Sequence, residues 1–111
     1  MKPSKTLIIF VALSACSSAY AATQPFAGRW AVGQEACKIQ ESYTITARDM
    51  KDDMTGTDHC RFTSINQAGT NSWSVDAVCG ASENITFKFS LSDGNLNVTG
   101  GYKSQSWVRC N

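Results

Sequence analysis

The chain has 111 residues, of which 42% are hydrophobic and 17% are charged, and its formal net charge at pH 7 is +1. This length accommodates one small domain. The charges are nearly balanced, and the sequence has no basic stripe with which a nucleic-acid-binding domain follows a phosphate backbone. It also has no cluster of lysines and arginines for binding anionic lipids.

The N-terminal segment has the order of an export signal. Lys2 and Lys5 form a basic head, residues 6–13 (TLIIFVAL) are uninterruptedly apolar, and small residues follow. The apolar run is too short to remain as a membrane span. We therefore predict an export signal over residues 1–21 and a single domain over residues 22–111. We expect this protein to be exported, either to the bacterial periplasm or as an outer-membrane lipoprotein that faces the periplasm.

Two cleavage sites compete within this signal. Residues 13–16 (LSAC) resemble a lipobox, in which Cys16 would be acylated and become the first residue of the mature protein. Residues 19–21 (AYA) form an A-x-A site, whose use would release a soluble protein that begins at Ala22. A lipid on Cys16 would be the only attachment to a membrane.

Downstream of the signal, the dominant sequence period is two, which is typical of strands with one buried face. Short strands are predicted over residues 28–32, 42–47 and 105–110, with two hairpins between them. No convincing amphipathic helix is found. Seven strand-like segments with short turns predict an all-β antiparallel meander that closes into a lipocalin-like barrel of about 7–8 strands, because closure removes the sheet edges.

The first hairpin is predicted to turn at Gly69-Thr70. The opposed residues are then Cys60 and Cys79, Phe62 and Ala77, Ser64 and Val75, and Asn66 and Trp73. Directly opposed residues lie about 4.5–5.5 Å apart at Cα, a distance that a disulfide can bridge.

The second hairpin is predicted to turn at Asp93-Gly94, a strong signal for a two-residue turn. Folding about this turn opposes three apolar pairs, Leu91 and Leu96, Phe89 and Val98, and Phe87 and Gly100. The apolar faces of the two strands then coincide, so the register is self-consistent.

Four cysteines remain after the signal is removed, and an even number in a small exported domain predicts two disulfides. Their wide spacing disfavours a zinc site. The hairpin register favours Cys60–Cys79, which leaves Cys37–Cys110. Because Trp107 and Cys110 fall on opposite faces of the last strand, the second disulfide requires a bulge or a place on the outer wall.

No constellation of side chains points to catalysis. A crowded segment carries four carboxylates and the only histidine, namely Asp49, Asp52, Asp53, Asp58 and His59. Its spacing does not match a calcium loop and favours a solvated loop. No nucleophile motif accompanies His59, and cysteines in disulfides cannot act as nucleophiles. We expect no enzyme activity, no metal and no cofactor, and we expect the aromatic residues to fill the barrel interior.

The two ends of the domain resemble a known family. Residues 26–30 (FAGRW) and 107–110 (WVRC) are similar to the G-x-W start and late arginine of lipocalin-like barrels, including the exported bacterial inhibitors of secreted zinc metalloproteases. The resemblance implies a barrel seal made by Gly28, Trp30 and Arg109. It also implies a free N-terminal segment that enters the protease cleft, here Thr23, Gln24, Pro25 and Phe26.

A second resemblance is to the small lipoprotein inhibitors of C-type lysozyme. Residues 99–104 (TGGYKS) are loosely similar to their inhibitory loop, which makes Gly101, Tyr102, Lys103 and Ser104 candidate partner contacts. We therefore expect a monomeric envelope protein that inhibits a hydrolase, either a secreted protease or a lysozyme. The alternative is a structural or small-ligand-binding barrel without inhibitory activity.

Overall fold

The computed structural model describes residues 24–101 and 103–111, without the side chains of Asp58 and Lys103. The predicted export signal, with Cys16, lies outside the described residues, as do Thr23 and Tyr102. The described residues form one short helix, α1 (Gln34–Lys38), and eight strands, which are β1 (Gly28–Ala31), β2 (Tyr43–Ile45), β3 (Asp49–Asp52), β4 (Thr57–Gly69), β5 (Ser72–Cys79), β6 (Glu83–Ser92), β7 (Asn95–Gly100) and β8 (Lys103–Arg109).

These strands follow one another in an antiparallel meander that closes on itself. The last strand pairs with the first, with Trp30 opposite Arg109 and Ala31 opposite Val108. The predicted fold class, a small all-β barrel with two disulfides, is therefore confirmed.

The core lies inside the barrel because alternate residues of each strand point inward. Along β5, Trp73, Val75, Ala77 and Cys79 are buried, and the residues between them are more exposed. Each fully buried large apolar side chain contributes roughly 1.5–3 kcal/mol to folding. The largest fully buried residues of the barrel are Trp30, Phe26, Phe89, Ile45, Met50 and Leu96.

The first hairpin has the predicted register only in the part of its strands that lies farthest from the turn. Cys60 faces Cys79 and Phe62 faces Ala77, but the pairing then shifts by one residue. The predicted partners of Ser64 and Asn66 are therefore wrong, since these residues face Asp76 and Ser74. A second shift before Gly69 moves the turn to residues 70–71, one position beyond the predicted Gly69-Thr70.

The second hairpin turns at Asp93-Gly94, as predicted. Asp93 has φ 55° and Gly94 has φ 80°, the positive values that a two-residue hairpin turn of this kind requires. Leu91 faces Leu96 and Phe89 faces Val98, so this register is confirmed.

Both predicted disulfides are present, Cys60–Cys79 and Cys37–Cys110. The first lies within the barrel core, whereas Cys37 belongs to a small separate cluster with Ala31, Ala36 and Cys110. Trp107 lies in the main core. The structure therefore takes the second of the two predicted solutions, a disulfide on the outer wall. The helix that carries Cys37 was missed because five residues are too few to form an amphipathic pattern.

Candidate functional site

The two ends of the barrel are different. In an antiparallel meander, successive turns alternate between the ends. Turns 46–48, 70–71 and 93–94 therefore lie with the N-terminal segment at one end, which we call the closed end. Turns 53–56 and 80–82 lie with the β7–β8 turn at the other, which we call the open end.

The closed end is filled by aromatic side chains. Phe26 is fully buried and makes edge-to-face contacts with Trp73 and Phe89, at centroid distances of 5.2 Å and 5.0 Å. The indole Nε1 of Trp30 donates a hydrogen bond of 2.9 Å to the carbonyl oxygen of Phe26. The Trp30 side chain is fully buried, and this bond satisfies its only polar atom.

Arg109 covers this aromatic cluster. Its guanidinium carbon lies 4.2 Å from the centroid of the Trp30 ring, a cation–π distance. Its Nη1 donates to the carbonyl of Ala27 at 2.8 Å and its Nη2 to that of Pro25 at 3.2 Å. Gly28 has φ 146°, and a Cβ there would overlap Nη1 of Arg109. Glycine at this position therefore makes room for the arginine.

The seal corrects the predicted role of the N-terminal segment. Phe26 is part of the core, so it is not presented to a partner. The carbonyl of Gln24 accepts a hydrogen bond from the amide of Ala27 at 2.9 Å, and that of Pro25 is bonded to Arg109. The resemblance implied a free segment, but burial of the Phe26 ring fixes its last residues to the barrel.

The open end contains a cavity of about 330 Å³. Its walls are apolar and come from the inward faces of five strands, with Tyr43, Met50, Ile85, Phe87, Val98 and Trp107. Its polar or exposed lining residues are Val32, Glu41, His59, Glu83, Gly101 and Gln105. The expectation that aromatic residues fill the whole interior is therefore wrong at this end.

Tyr43 is central to the cavity wall. Its ring stacks on that of Trp107 at a centroid distance of 5.2 Å and an interplanar angle of 22°. The centroid of the His59 ring lies 5.7 Å from that of Tyr43, and the two rings are tilted by 51° to each other. Burial, together with the negative charge of Asp52, raises the pKa of Tyr43 above its ordinary value. The phenol therefore remains protonated at neutral pH and can donate a hydrogen bond.

A bulge in β4 explains how His59 comes to the cavity. Cys60 pairs with Met50 and Asp58 pairs with Lys51, so His59 is an extra residue between two consecutive pairs. Bulges of this kind redirect a side chain relative to the regular alternation of a strand. His59 is consequently exposed yet lines the cavity.

The turn between β7 and β8 forms part of the cavity rim. Gly100 pairs with Lys103, and Gly101 has φ 59°. A Cβ at Gly100 would come within 2.6 Å of Cδ1 of Phe87, so glycine here lets the Phe87 ring form the wall. The candidate partner residue Gly101 is exposed and lines the cavity, whereas Ser104 is exposed on β8, opposite Thr99.

Asp53 corrects the interpretation of the acidic segment as a solvated loop. Its carboxylate accepts hydrogen bonds from Ser42 at 2.5 Å and Thr44 at 2.6 Å, and Arg29 lies 3.4 Å away. Burial alone would raise the pKa of Asp53, but these hydrogen bonds and the charge of Arg29 outweigh it and lower the pKa. Asp53 therefore ties the β3–β4 turn to the first two strands.

Within residues 24–101 and 103–111, no three His, Cys, Asp or Glu side chains are grouped to hold a metal.

No protein-family model, curated protein or solved structure matches this chain. In the part of the chain that the structure describes, no helix is long and apolar enough to cross a membrane.

Proposed function

We propose that this protein is an exported binding protein that takes up a small ligand with an apolar or aromatic part at the open end of the barrel. The cavity of about 330 Å³ carries the proposal. Small-molecule sites have volumes of about 300–1,000 Å³ and combine apolar walls with a few polar groups, and mouths of β-barrels are a common place for them. The walls and rim described above fit this pattern.

Several features support export of the domain. Its two disulfides are stable in an oxidising compartment such as the periplasm. The basic, apolar and small segments of residues 1–21 follow one another in the order of an export signal. We propose a monomer in the periplasm, either soluble after cleavage behind Ala21 or attached to a membrane through acylated Cys16.

The composition of the cavity favours binding over catalysis. A hydroxyl or thiol nucleophile activated by His59 would need a serine, threonine or cysteine within hydrogen-bond reach. The described lining residues include none of these three types. We propose that the cavity residues hold a ligand rather than transform it.

Binding can be tested by blocking the cavity without disturbing the barrel. Ile85 lines the cavity and is half-buried, so Ile85→Trp should fill the space with a larger side chain. Val78 on the neighbouring strand β5 does not line the cavity, and Val78→Trp is the matched control. Calorimetric titration with a neutral fluorescent probe such as N-phenyl-1-naphthylamine should give binding to the wild type and to Val78→Trp only. Equal binding to both variants, or no binding to the wild type, would contradict the proposal.

The β7–β8 turn favours a second candidate, inhibition of a hydrolase such as a lysozyme or a secreted protease. Gly101 is exposed at this turn and Ser104 is exposed near the start of β8, and the closed barrel holds the two strands beside the turn, which reduces the entropy lost on binding. Assays with a C-type lysozyme and a zinc metalloprotease should compare the wild type with Ser104→Arg near the start of β8 and Ser92→Arg at the closed end. Loss of inhibition with Ser104→Arg alone supports this candidate, and no inhibition by the wild type removes it.

A further inference from the structure

From the charges around the cavity we infer that its ligand is an organic cation, a small amine or quaternary ammonium with an apolar or aromatic body. This inference rests on the proposed function of ligand binding at the open end and names the chemical class of the ligand.

The described charged side chains at the rim of the cavity are acidic. Two carboxylates, those of Glu41 and Glu83, line the cavity, and none of its described lining residues is a lysine or an arginine. His59 and Tyr43 are its other titratable residues. A cation close to these carboxylates is attracted to both, and the attraction is stronger where protein walls replace water. An anionic ligand would meet the same two charges as repulsion.

Part of the cavity wall is aromatic. Tyr43 and Trp107 stack on each other, and both line the cavity. Tyrosine and tryptophan are among the side chains whose ring faces attract ammonium groups, and recognition of quaternary ammonium ligands often uses more than one such ring. A wall of this composition adds to the preference set by the carboxylates.

The acidic groups of the cavity lie nearer to solvent than most of its apolar groups. Glu41 and Glu83 are exposed, whereas Met50 and Trp107 are buried. A ligand can therefore keep its charged group at the rim, partly hydrated, while its apolar body enters the barrel. Partial hydration avoids the large cost of burying an ion completely. Val32, which is 71% exposed, extends the apolar lining out to the rim.

Three small probes that differ mainly in charge can test the inference. Benzylammonium, benzyl alcohol and benzoate share an aromatic ring and a short polar substituent. Titration at pH 7 and low salt should give a dissociation constant roughly tenfold lower for benzylammonium than for benzyl alcohol, with benzoate weakest. Raising the salt concentration to about 0.5 M should reduce this preference, because the rim is solvated.

Charge-removing variants separate the carboxylates from the cavity itself. In Glu41→Gln/Glu83→Gln, the affinities for the amine and the alcohol should lie within about threefold of each other, since the shape is kept and the charge is lost. Glu35→Gln is the matched control, because Glu35 lies on α1, does not line the cavity, and has a side chain that is 89% exposed. This control should keep the preference of the wild type.

The outcomes distinguish the two proposals. Equal wild-type affinity for the amine and the alcohol overturns the inference of a cation and leaves ligand binding in place. The same holds if N-phenyl-1-naphthylamine binds and benzylammonium does not. A preference for the amine that survives in Glu41→Gln/Glu83→Gln overturns the role of the two carboxylates. If no probe binds, the proposed function fails and the inference fails with it.

Discussion

The guanidinium of Arg109 stacks on the indole of Trp30 at 4.2 Å, and the two residues are also paired across the seam between the last and first strands. One contact therefore closes the barrel and caps its aromatic core. Through its hydrogen bonds to the carbonyls of Ala27 and Pro25, Arg109 also fixes the chain that enters the barrel. This arrangement gives the closed end a structural role.

Replacing Arg109 should destabilise the whole barrel. Arg109→Ala removes the cation–π contact and two hydrogen bonds, and we expect a loss of about 1–3 kcal/mol in the free energy of unfolding. Arg109→Lys should recover only part of this loss, because an ammonium cannot stack in a plane and donate to both carbonyls. Urea denaturation measures the effect, with Arg61→Ala on the exposed face of β4 as the control. A stability of Arg109→Ala equal to that of the control would contradict the role of the seal.

Gly28 should tolerate no side chain while Arg109 is present. Gly28→Ala combines a strained φ with an overlap onto Nη1 of Arg109, so we expect a loss of at least about 2 kcal/mol. Gly80→Ala, at φ 60° with open space around it, carries the backbone strain alone and should cost about half as much. In Gly28→Ala/Arg109→Ala, the effects should be less than additive, because the two residues are in contact. Additive effects would mean that the overlap is not what excludes alanine.

The alternation of apolar residues was sufficient to predict the barrel, but not every pairing within it. The period of two identifies the inward faces of β5, β6 and β7, and Asp93-Gly94 fixes one turn. The period of two could not reveal the shift in strand register beyond Phe62, because this shift depends on how a strand of 13 residues bends around the barrel. The shifted strand is held by Ser64, whose hydroxyl donates to the carboxylate of Asp76 at 2.8 Å.

The nested disulfides can be checked by non-reducing peptide mapping. Cleavage after lysine and arginine places each of the four domain cysteines on a separate peptide. We expect the peptide with Cys37 to be joined to that with Cys110, and the peptide with Cys60 to that with Cys79. Replacing either pair with alanine should lower the free energy of unfolding by about 2–5 kcal/mol. A peptide joining Cys37 to Cys60 or Cys79 would be incompatible with this barrel.

Asp53 should make the protein sensitive to acid. Folding lowers the pKa of Asp53. The stability that the ionised carboxylate contributes is therefore complete above its pKa in the unfolded chain, about 4, and is lost as the pH falls through its lower pKa in the folded protein. Asp53→Asn should cost about 1–3 kcal/mol at neutral pH, because Ser42, Thr44 and Arg29 lose a charged acceptor. Its stability should also fall less than that of the wild type between about pH 5 and pH 2.

Thermal or urea denaturation over this range measures the acid effect. Asp93→Asn is the control, since asparagine suits the positive φ of that turn. If Asp53→Asn keeps the full acid sensitivity of the wild type, another group is responsible.

The cavity could not be predicted because its size depends on how residues from five strands meet in space. Nevertheless, the sequence contains a signal for a polar mouth. Glu83 shares the inward parity of Ile85 and Phe87, and Gln105 shares that of Trp107, so polar residues stand at inward positions near one end. His59 gives no such signal, since it reaches the cavity through a bulge.

Ligand binding at the open end can be located by NMR titration of the three tryptophan indole N–H groups with N-phenyl-1-naphthylamine, the neutral probe. Trp107 lines the cavity, whereas Trp30 and Trp73 lie at the closed end. We predict that the Trp107 signal shifts and saturates with added probe while the signals of Trp30 and Trp73 stay in place. An unmoved Trp107 signal, or equal shifts of all three, would contradict ligand binding at the open end.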